Sequence, residues 1–200
     1  MTAGISAAFI LFFSSPALPT DIRAEASAPE SAIVADTDAV DGSHDFDFLV
    51  GTWNVTNRRL KQRWVGSTEW DEFPCVSVST PLLDGTGNLE QMSFPTRGFS
   101  GISLSLFDQA KKEWSQYWVS SREGIMTPPG VGRFHNGRGE FYADDTDDGK
   151  PIKVMMVWSD ITESSIHWEQ AFSADGGKTW ETNWTMSFSR VTPALGASKP

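Results

Sequence analysis

The side chains of this chain that could bind a metal or transfer a proton are few and widely spaced. His44, His135 and His167 are its three histidines, and no two of them stand at the spacing of a metal-binding pair. Cys75 is the one cysteine of the sequence, so a disulfide within the chain and a cysteine-based zinc site are both ruled out. We therefore expect neither a bound metal ion nor a cofactor.

General acid–base catalysis requires ionisable groups that meet in a dry pocket. Glu72, Glu169, His167 and Tyr117 are candidates by residue type, but no spacing ties any two of them together. The chain also lacks a G-x-S-x-G nucleophile motif, a phosphate-binding loop and a dinucleotide fingerprint. The apolar neighbours of Cys75 predict a buried thiol on a strand. These residues favour a protein without catalytic activity, with an enzyme as the alternative.

Two short motifs match parts of known sites without supplying their chemistry. The stretch from Ser173 to Trp180 fits the Asp-box of sialidase propellers, which is a hairpin turn and not a catalytic element. A propeller repeats this box in each blade, and here it occurs once, so we interpret it as a structural turn.

Asp144 to Gly149 resembles the first half of a calcium loop. Met155 then occupies the position that needs a glutamate, which favours an acidic hairpin.

Tryptophan is the unusual feature of the composition. The 200 residues include nine tryptophans, and aromatic residues make up 12% of the chain. Each tryptophan offers a large rigid apolar surface with one N–H donor, so the enrichment indicates either a thick aromatic core or an aromatic-lined cavity. The net charge of −10 argues against nucleic acid as a partner, because phosphate binding requires a basic surface.

The elements that must position these residues are strands. From Gly51 to Arg190, roughly ten runs alternate apolar and polar residues at the strand period, with turn residues between them and no helical period. Successive hairpins favour an up-and-down arrangement, and closure into a barrel removes exposed edges. We therefore predict an all-β fold, a single antiparallel up-and-down β-barrel of about ten strands. Pro74, inside the second strand, predicts a bulge or a break.

The barrel is expected to occupy residues 44–190. Residues 1–26 contain a short apolar run and A-x-A sites, typical of a signal peptide, although no basic residue precedes the run. Residues 27–43 predict a flexible linker and residues 191–200 a disordered tail. We expect an exported protein, periplasmic or secreted, without stable membrane insertion, since the apolar run is too short to span a bilayer. A cytoplasmic protein with a disordered N-terminal tail is the alternative.

Both ends of the predicted barrel resemble one family. The opening Phe46-Asp-Phe-Leu-Val-Gly-Thr-Trp53 resembles that of the calycins, the superfamily of lipocalins and fatty-acid-binding proteins. The sequence of this opening is most similar to that of the bacterial lipocalin-like proteins of the DUF1579 type. The stretch from Phe172 to Arg190 resembles their closing hairpin. The resemblance covers about residues 44–190 and implies a lipocalin-like barrel, but no reaction. The haem-binding nitrobindins place their ligand histidine in the last strand, where this chain has none.

The sequence predicts that the barrel binds a small hydrophobic or aromatic molecule. Tryptophans with two glutamines are expected to line the pocket: Trp70, Trp118, Trp158, Trp168 and Trp184, with Gln116 and Gln170. One alternative is an enzyme, an isomerase, cyclase or hydrolase acting on a hydrophobic metabolite, which would need a buried Glu or His with a perturbed pKa. The other is a structural barrel with a filled interior. The ligand and the oligomeric state do not follow from the sequence.

Four basic residues cluster after the first strand, in the connection expected at the open mouth of the barrel. They are Arg58, Arg59, Lys61 and Arg63. In so acidic a protein this local reversal of charge predicts a lid that attracts an acidic ligand. The alternative is a solvated loop whose cations pair with surface carboxylates.

Overall fold

The computed structural model describes residues 41–191. The predicted signal peptide, the linker up to residue 40 and the tail from residue 192 lie outside the described residues. The described chain forms ten strands, and their bounds are β1 (Gly51–Leu60), β2 (Trp70–Leu82), β3 (Gly87–Phe94), β4 (Phe99–Asp108), β5 (Glu113–Ser120), β6 (Gly130–His135), β7 (Arg138–Asp147), β8 (Lys150–Ser159), β9 (Ser165–Ser173) and β10 (Glu181–Arg190). Two 3₁₀ turns, Asp47–Leu49 and Leu83–Gly85, complete the regular structure.

The ten strands close into one barrel. Each strand pairs antiparallel with the next in the sequence, and β1 also pairs with β10. In that closing ladder Trp53 lies opposite Arg190, and Arg59 lies opposite Trp184. The predicted all-β, up-and-down barrel of ten strands is therefore confirmed, and its closure leaves no exposed sheet edge.

The 3₁₀ turn Asp47–Leu49 closes one end of the barrel, and we call it the plug. Phe46 and Leu49 are fully buried. The ring of Phe46 packs edge-on against Trp114 and Phe134, with ring centroids 4.9 and 5.0 Å apart. Such edge-to-face pairs add stability beyond the area that they bury.

The first and last strands hold the plug in place. The indole Nε1 of Trp53 donates to the carbonyl of Leu49 at 2.8 Å, so the first strand is bonded to the plug above it. Arg190, the last residue of β10, donates to the carbonyls of Phe48 and Val50 at 2.8 and 2.7 Å. Its guanidinium also lies over Trp53, 4.0 Å from the ring centroid. The opening and closing motifs of the sequence thus meet at this end.

Over part of their length, strands β2 to β4 turn polar residues inward and apolar residues outward, although Phe73, Met92, Phe94 and Phe107 on the same strands are also buried. Ser77, Glu90 and Ser105 are buried, whereas Val78 and Ile102 are each 38% exposed. The predicted division of β4 into an aliphatic and a small polar face is confirmed, with the aliphatic face on the outside. The small face suits the crowded interior: at Gly101 an added Cβ would lie 2.3 Å from the ring of Trp118.

β1 and β2 correct two sequence expectations. β1 continues to Leu60, so Arg58 and Arg59 belong to the strand and not to the loop after it. The β1–β2 register runs unbroken past Pro74, which lies opposite Thr56, so the predicted bulge or break is wrong. The β2–β3 ladder begins only at Val76, and the missing N–H of Pro74 therefore removes no bond from that ladder.

Residues 41–43, at the end of the predicted linker, lie against the barrel. Trp114 donates its indole N–H to the carbonyl of Gly42 at 2.8 Å, and Ser43 is buried. Contacts with the barrel therefore begin before His44. Between residues 41 and 191, no helix is long and apolar enough to cross a membrane.

Candidate ligand-binding cavity

A cavity of about 190 Å³ lies inside the barrel. Because the plug fills one end, the connections after β1, β3, β5, β7 and β9 surround the opposite end, which we call the mouth. The wall of the cavity comes from β3 to β10, together with Thr127 and Pro128 just before β6. Its members lie far apart in the sequence and meet only because the sheet closes.

Six of the seven predicted pocket residues lie in this wall. They are Gln116, Trp118, Trp158, Trp168, Gln170 and Trp184. Strand register brings the aromatic members together, because Trp158 on β8 lies directly opposite Trp168 on β9. The rings of Trp168 and Trp184 meet at 90° with centroids 5.9 Å apart. An aromatic wall with a few polar groups is the usual composition of a small-molecule pocket.

Trp70 lies elsewhere and does not line the cavity. It begins β2 at the mouth end, opposite Leu60, and the guanidinium of Arg58 lies 5.2 Å from its ring centroid. The expectation that it joins the wall is therefore wrong. The long β1–β2 hairpin extends the pairing as far as Trp70, which places this residue at the rim.

Side-chain amides hold two wall tryptophans by their N–H groups. Trp158 donates to Oε1 of Gln116 at 3.2 Å, and Trp184 donates to Oδ1 of Asn57 at 3.0 Å. Asn57 is fully buried, and its Nδ2 has no hydrogen-bond partner among the described residues. These bonds satisfy indole donors that would otherwise be left unpaired beside an apolar cavity.

Cys75 is a buried thiol on β2, as predicted. Burial raises the pKa of the thiol to about 11. Because the thiolate is the reactive form of cysteine, this environment keeps Cys75 neutral and unreactive near pH 7.

Glu90 is the carboxyl group that the sequence candidates missed. It lines the cavity from β3 and is only 3% exposed. Burial raises its pKa to about 7, although a hydrogen bond from Ser77 opposes the shift. Ser77 Oγ donates to Oε1 at 2.6 Å, while Oε2 has no hydrogen-bond partner among the described residues. A buried carboxyl of this kind can act as an acceptor when ionised or as a donor when protonated.

The four catalytic candidates named from the sequence do not assemble into a site. Glu72 is exposed on β2. His167 and Glu169 stand 4.0 Å apart on β9, on the face opposite Trp168, outside the cavity wall. Tyr117 is the one candidate that contributes to the wall. Period-two alternation could have placed Glu90 beside Met92 and Phe94, but Leu89 on the other face made the inner face of β3 ambiguous.

The segment from Lys61 to Glu69 reaches across part of the mouth. The guanidinium of Arg63 donates to both oxygens of Asp147 on β7, at 3.0 and 2.6 Å. The indole N–H of Trp64 donates to the same carboxylate at 2.7 Å. The ring of Trp64 also stacks on that of Phe172, a wall residue, with centroids 6.5 Å apart. Ion pairing and stacking therefore hold this segment over β7 and β9.

Three of the four predicted lid cations have carboxylate partners. Arg58 faces Glu72 at 3.9 Å, Lys61 faces Glu69 at 3.3 Å, and Arg63 faces Asp147. The guanidinium of Arg59 instead lies over Trp184, 5.0 Å from the ring centroid. Burial lowers the pKa of Arg59, as do the charges of Arg63 and Arg122. The geometry matches the ion-paired alternative, and attraction of an acidic ligand stays a prediction.

The Asp-box stretch forms the structural turn that the sequence predicted. Asp175 accepts hydrogen bonds from the backbone N–H groups of Lys178 and Thr179 and from two hydroxyls, and these bonds hold its pKa far below the usual range. Trp180 donates to the carbonyl of Gly177, so it folds over the turn and not into the cavity.

Within residues 41–191, no group of three or more His, Cys, Asp or Glu could hold a metal ion.

No family model matches the chain, and no curated protein matches it either. Among solved structures, the chain is similar to a protein of unknown function from the DUF3598 family of Nostoc punctiforme. The two share 12% identity with a TM-score of 0.42, over 73% of this chain and 48% of that one. The chain thus spans about half the length of that protein. A lipocalin-like barrel is consistent with the strand order and closure of this chain.

Proposed function

We propose that this barrel binds a small, flat apolar or aromatic molecule and holds it without changing it. The observation that carries the proposal is the wall itself, where four tryptophan side chains surround an open space inside the barrel. A barrel that served only as a structural element would fill this space with side chains, as its plugged end does.

The volume of the cavity restricts the ligand. About 190 Å³ is below the roughly 300–1,000 Å³ of pockets for drug-sized molecules. A molecule of one or two fused rings suits such a space, whereas a porphyrin or a long acyl chain would require the wall to rearrange. Gln116 and Gln170 supply polar contacts that would orient the ring.

We retain the bacterial lipocalin-like family of the DUF1579 type as the proposed family. Its opening and closing motifs contain Trp53 and Arg190, which contact each other and the plug. Export to the periplasm or beyond is proposed from the composition of residues 1–26 alone. A soluble carrier or sensor of small aromatic molecules suits that location.

An enzyme on the same scaffold is the second candidate, and Glu90 is the observation that favours it. A buried carboxyl with a pKa of about 7 is poised to give and take a proton near neutral pH. Among the described residues of the wall, no second acid or base forms a hydrogen bond with Glu90. Binding without reaction is therefore the better-supported function.

Native mass spectrometry of the protein, gently purified from its own host, tests the proposal. We expect an adduct that is lost on denaturation and that proves to be a small aromatic compound. Incubating the released compound with fresh protein then separates the two candidates, because a binder returns it unchanged and an enzyme converts it. A protein that carries no adduct and whose tryptophan fluorescence responds to no compound in a panel of one- and two-ring aromatics would contradict the proposal.

A further inference from the structure

Glu90 is out of place in a cavity that only holds apolar molecules. An apolar ligand would leave its second carboxylate oxygen without a hydrogen bond, and an ionised carboxylate buried without a partner is costly. Glutamine or methionine would serve such a cavity better. The presence of a carboxyl group therefore indicates something about the ligand.

The surroundings of Glu90 contain no protein cation to neutralise it. Ser77 and Cys75 face it from β2, and Ser103 lies opposite it on β4. The remaining titratable wall residues are Tyr117 on β5 and Asp145 on β7. Among the described residues that line the cavity, none is basic. The positive partner that the carboxylate lacks is thus absent from the wall.

We propose that the ligand is an aromatic molecule bearing a cationic or N–H-rich nitrogen group, such as an arylamidine, an arylamine or a protonated N-heterocycle, and that this group donates to the free oxygen of Glu90. The inference rests on the proposed function and names the class of ligand for the same cavity. Recognition combines one charge-assisted hydrogen bond with stacking of the ring against tryptophan.

The aromatic wall favours the same class. A cation over a tryptophan face is attracted by the ring quadrupole, and the attraction grows when water is excluded. Trp118, Trp158, Trp168 and Trp184 all border the cavity that contains Glu90. A nitrogen cation inside it would therefore meet both an anionic acceptor and electron-rich ring faces.

The long-range field also favours a cation. The chain carries a net charge of −10, and Asp145 stands exposed at the rim without a basic partner among the described residues. Basic residues at the mouth oppose this field: Arg58, Lys61 and Arg63 have carboxylate partners, whereas Arg59 lies over Trp184 with Arg122 nearby. These two arginines would favour an anion at the rim, so an anionic isostere is the decisive competitor.

Three isosteric probes separate these outcomes: benzamidine is a cation, benzamide is neutral and benzoate is an anion. Calorimetric titration at pH 8 should rank benzamidine first and benzoate last. Glu90→Gln should weaken benzamidine at least about tenfold and leave benzamide nearly unchanged, because only the cation uses the carboxylate charge. Glu72→Gln, which changes an exposed carboxylate on β2, is the matched control and should change none of the three.

The pH dependence gives an independent readout. Because a cation prefers ionised Glu90, benzamidine affinity should rise from pH 6 to pH 8 in the wild type and stay flat in Glu90→Gln. Cys75 remains a neutral thiol over this range, since its pKa lies near 11. If Glu90→Gln fails to fold, the ranking of the three probes on the wild type decides the question alone.

The possible failures are distinguishable. If benzamide and benzamidine bind equally and Glu90→Gln changes neither, the cation inference is overturned while binding of aromatic molecules stands. If benzoate binds most tightly, the arginines at the mouth select the ligand and the inference is likewise overturned. If none of the probes gives heat or changes tryptophan fluorescence, both the cation inference and the proposed function are contradicted.

Discussion

The two halves of the barrel interior use the same residue type for different purposes. At the plugged end, Trp53 and Trp114 are almost completely buried and donate their N–H groups to backbone carbonyls, those of Leu49 and Gly42. Toward the mouth, Trp158 and Trp184 border the cavity and donate to side-chain amides, those of Gln116 and Asn57. The backbone bonds fix Trp53 and Trp114 within the packed end. Trp158 and Trp184, which bond to side chains, keep part of their rings against the cavity.

The difference shows that tryptophan enrichment has two causes in one chain. The plugged half is close-packed, and its aromatic rings interlock at centroid distances near 5 Å. The mouth half contains a cavity large enough for a small ligand, and the titratable residue Glu90 lines it. We assign stability to the first half and binding to the second, and substitutions can test that division.

The largest effect on stability is expected at the plug. Trp53→Ala removes a fully buried ring, its hydrogen bond to Leu49 and the ring face against which the Arg190 guanidinium lies. We expect this change to lower the free energy of unfolding by about 4 kcal/mol. Trp184→Ala, at the cavity wall, should lower it by only about 2 kcal/mol, because the ring already borders empty space. Urea denaturation of both variants measures the difference. Equal losses would contradict the division between the two halves.

Glu90 should make stability depend on pH. Its folded pKa of about 7 lies above its ordinary value of 4.5, so the folded state holds the proton more tightly than the unfolded state. Stability is therefore lost as pH rises from 4.5 to 7, and the loss is complete above pH 7. Relative to Glu90→Gln, the wild type should lose about 3 kcal/mol between pH 4 and pH 8.

Denaturation of both proteins across this pH range measures the effect of Glu90, with Glu72→Gln as an exposed control. Parallel pH profiles for the wild type and Glu90→Gln would show that the carboxyl is well solvated. The polar character assigned to the mouth half would then lose its main support.

The smallest effect on stability is expected at the mouth segment. Arg63→Ala removes the two-bond contact with Asp147 and should lower the free energy of unfolding by about 1 kcal/mol. If the segment covers the cavity, the variant should also speed release of a bound aromatic molecule, because the contacts of Trp64 then hold the segment against β7 and β9 without Arg63. Lys61→Ala is the control, since its pair with Glu69 is exposed and worth about 0.5 kcal/mol or less. Stopped-flow fluorescence measures the release rate, and unchanged release from Arg63→Ala would show that the segment does not cover the cavity.

Much of the architecture could be predicted because hairpin turns and period-two alternation are local signals. The shared face of Trp114, Gln116 and Trp118 on β5 follows from spacing alone, and so does the turn held by Asp175. The choice of inner face is different, because it depends on which strands lie beside one another. Ile102 points outward, and its neighbour Gly101 leaves room for Trp118 on the inside.

The site was predictable only in part for the same reason. Glu90 shares the buried face of β3 with Met92 and Phe94, but Leu89 on the other face leaves the inner face of this strand ambiguous until the closed sheet determines it. Trp70 looked equivalent to the wall tryptophans, but the length of the β1–β2 hairpin carries it to the rim. Residue type was thus enough to predict most of the wall residues, whereas the position of each side chain follows only from the closed sheet.

The indole N–H signals of the nine tryptophans offer the most direct test of the central claim, that the mouth half of the barrel is a binding cavity. In ¹⁵N–¹H correlation spectra recorded during titration with benzamide, the signals of Trp118, Trp158, Trp168 and Trp184 should shift together with one dissociation constant. Those of Trp53, Trp114 and Trp180 should stay in place. A titration that moves only the exposed indoles, or moves the plug indoles as much as the wall indoles, would contradict the account.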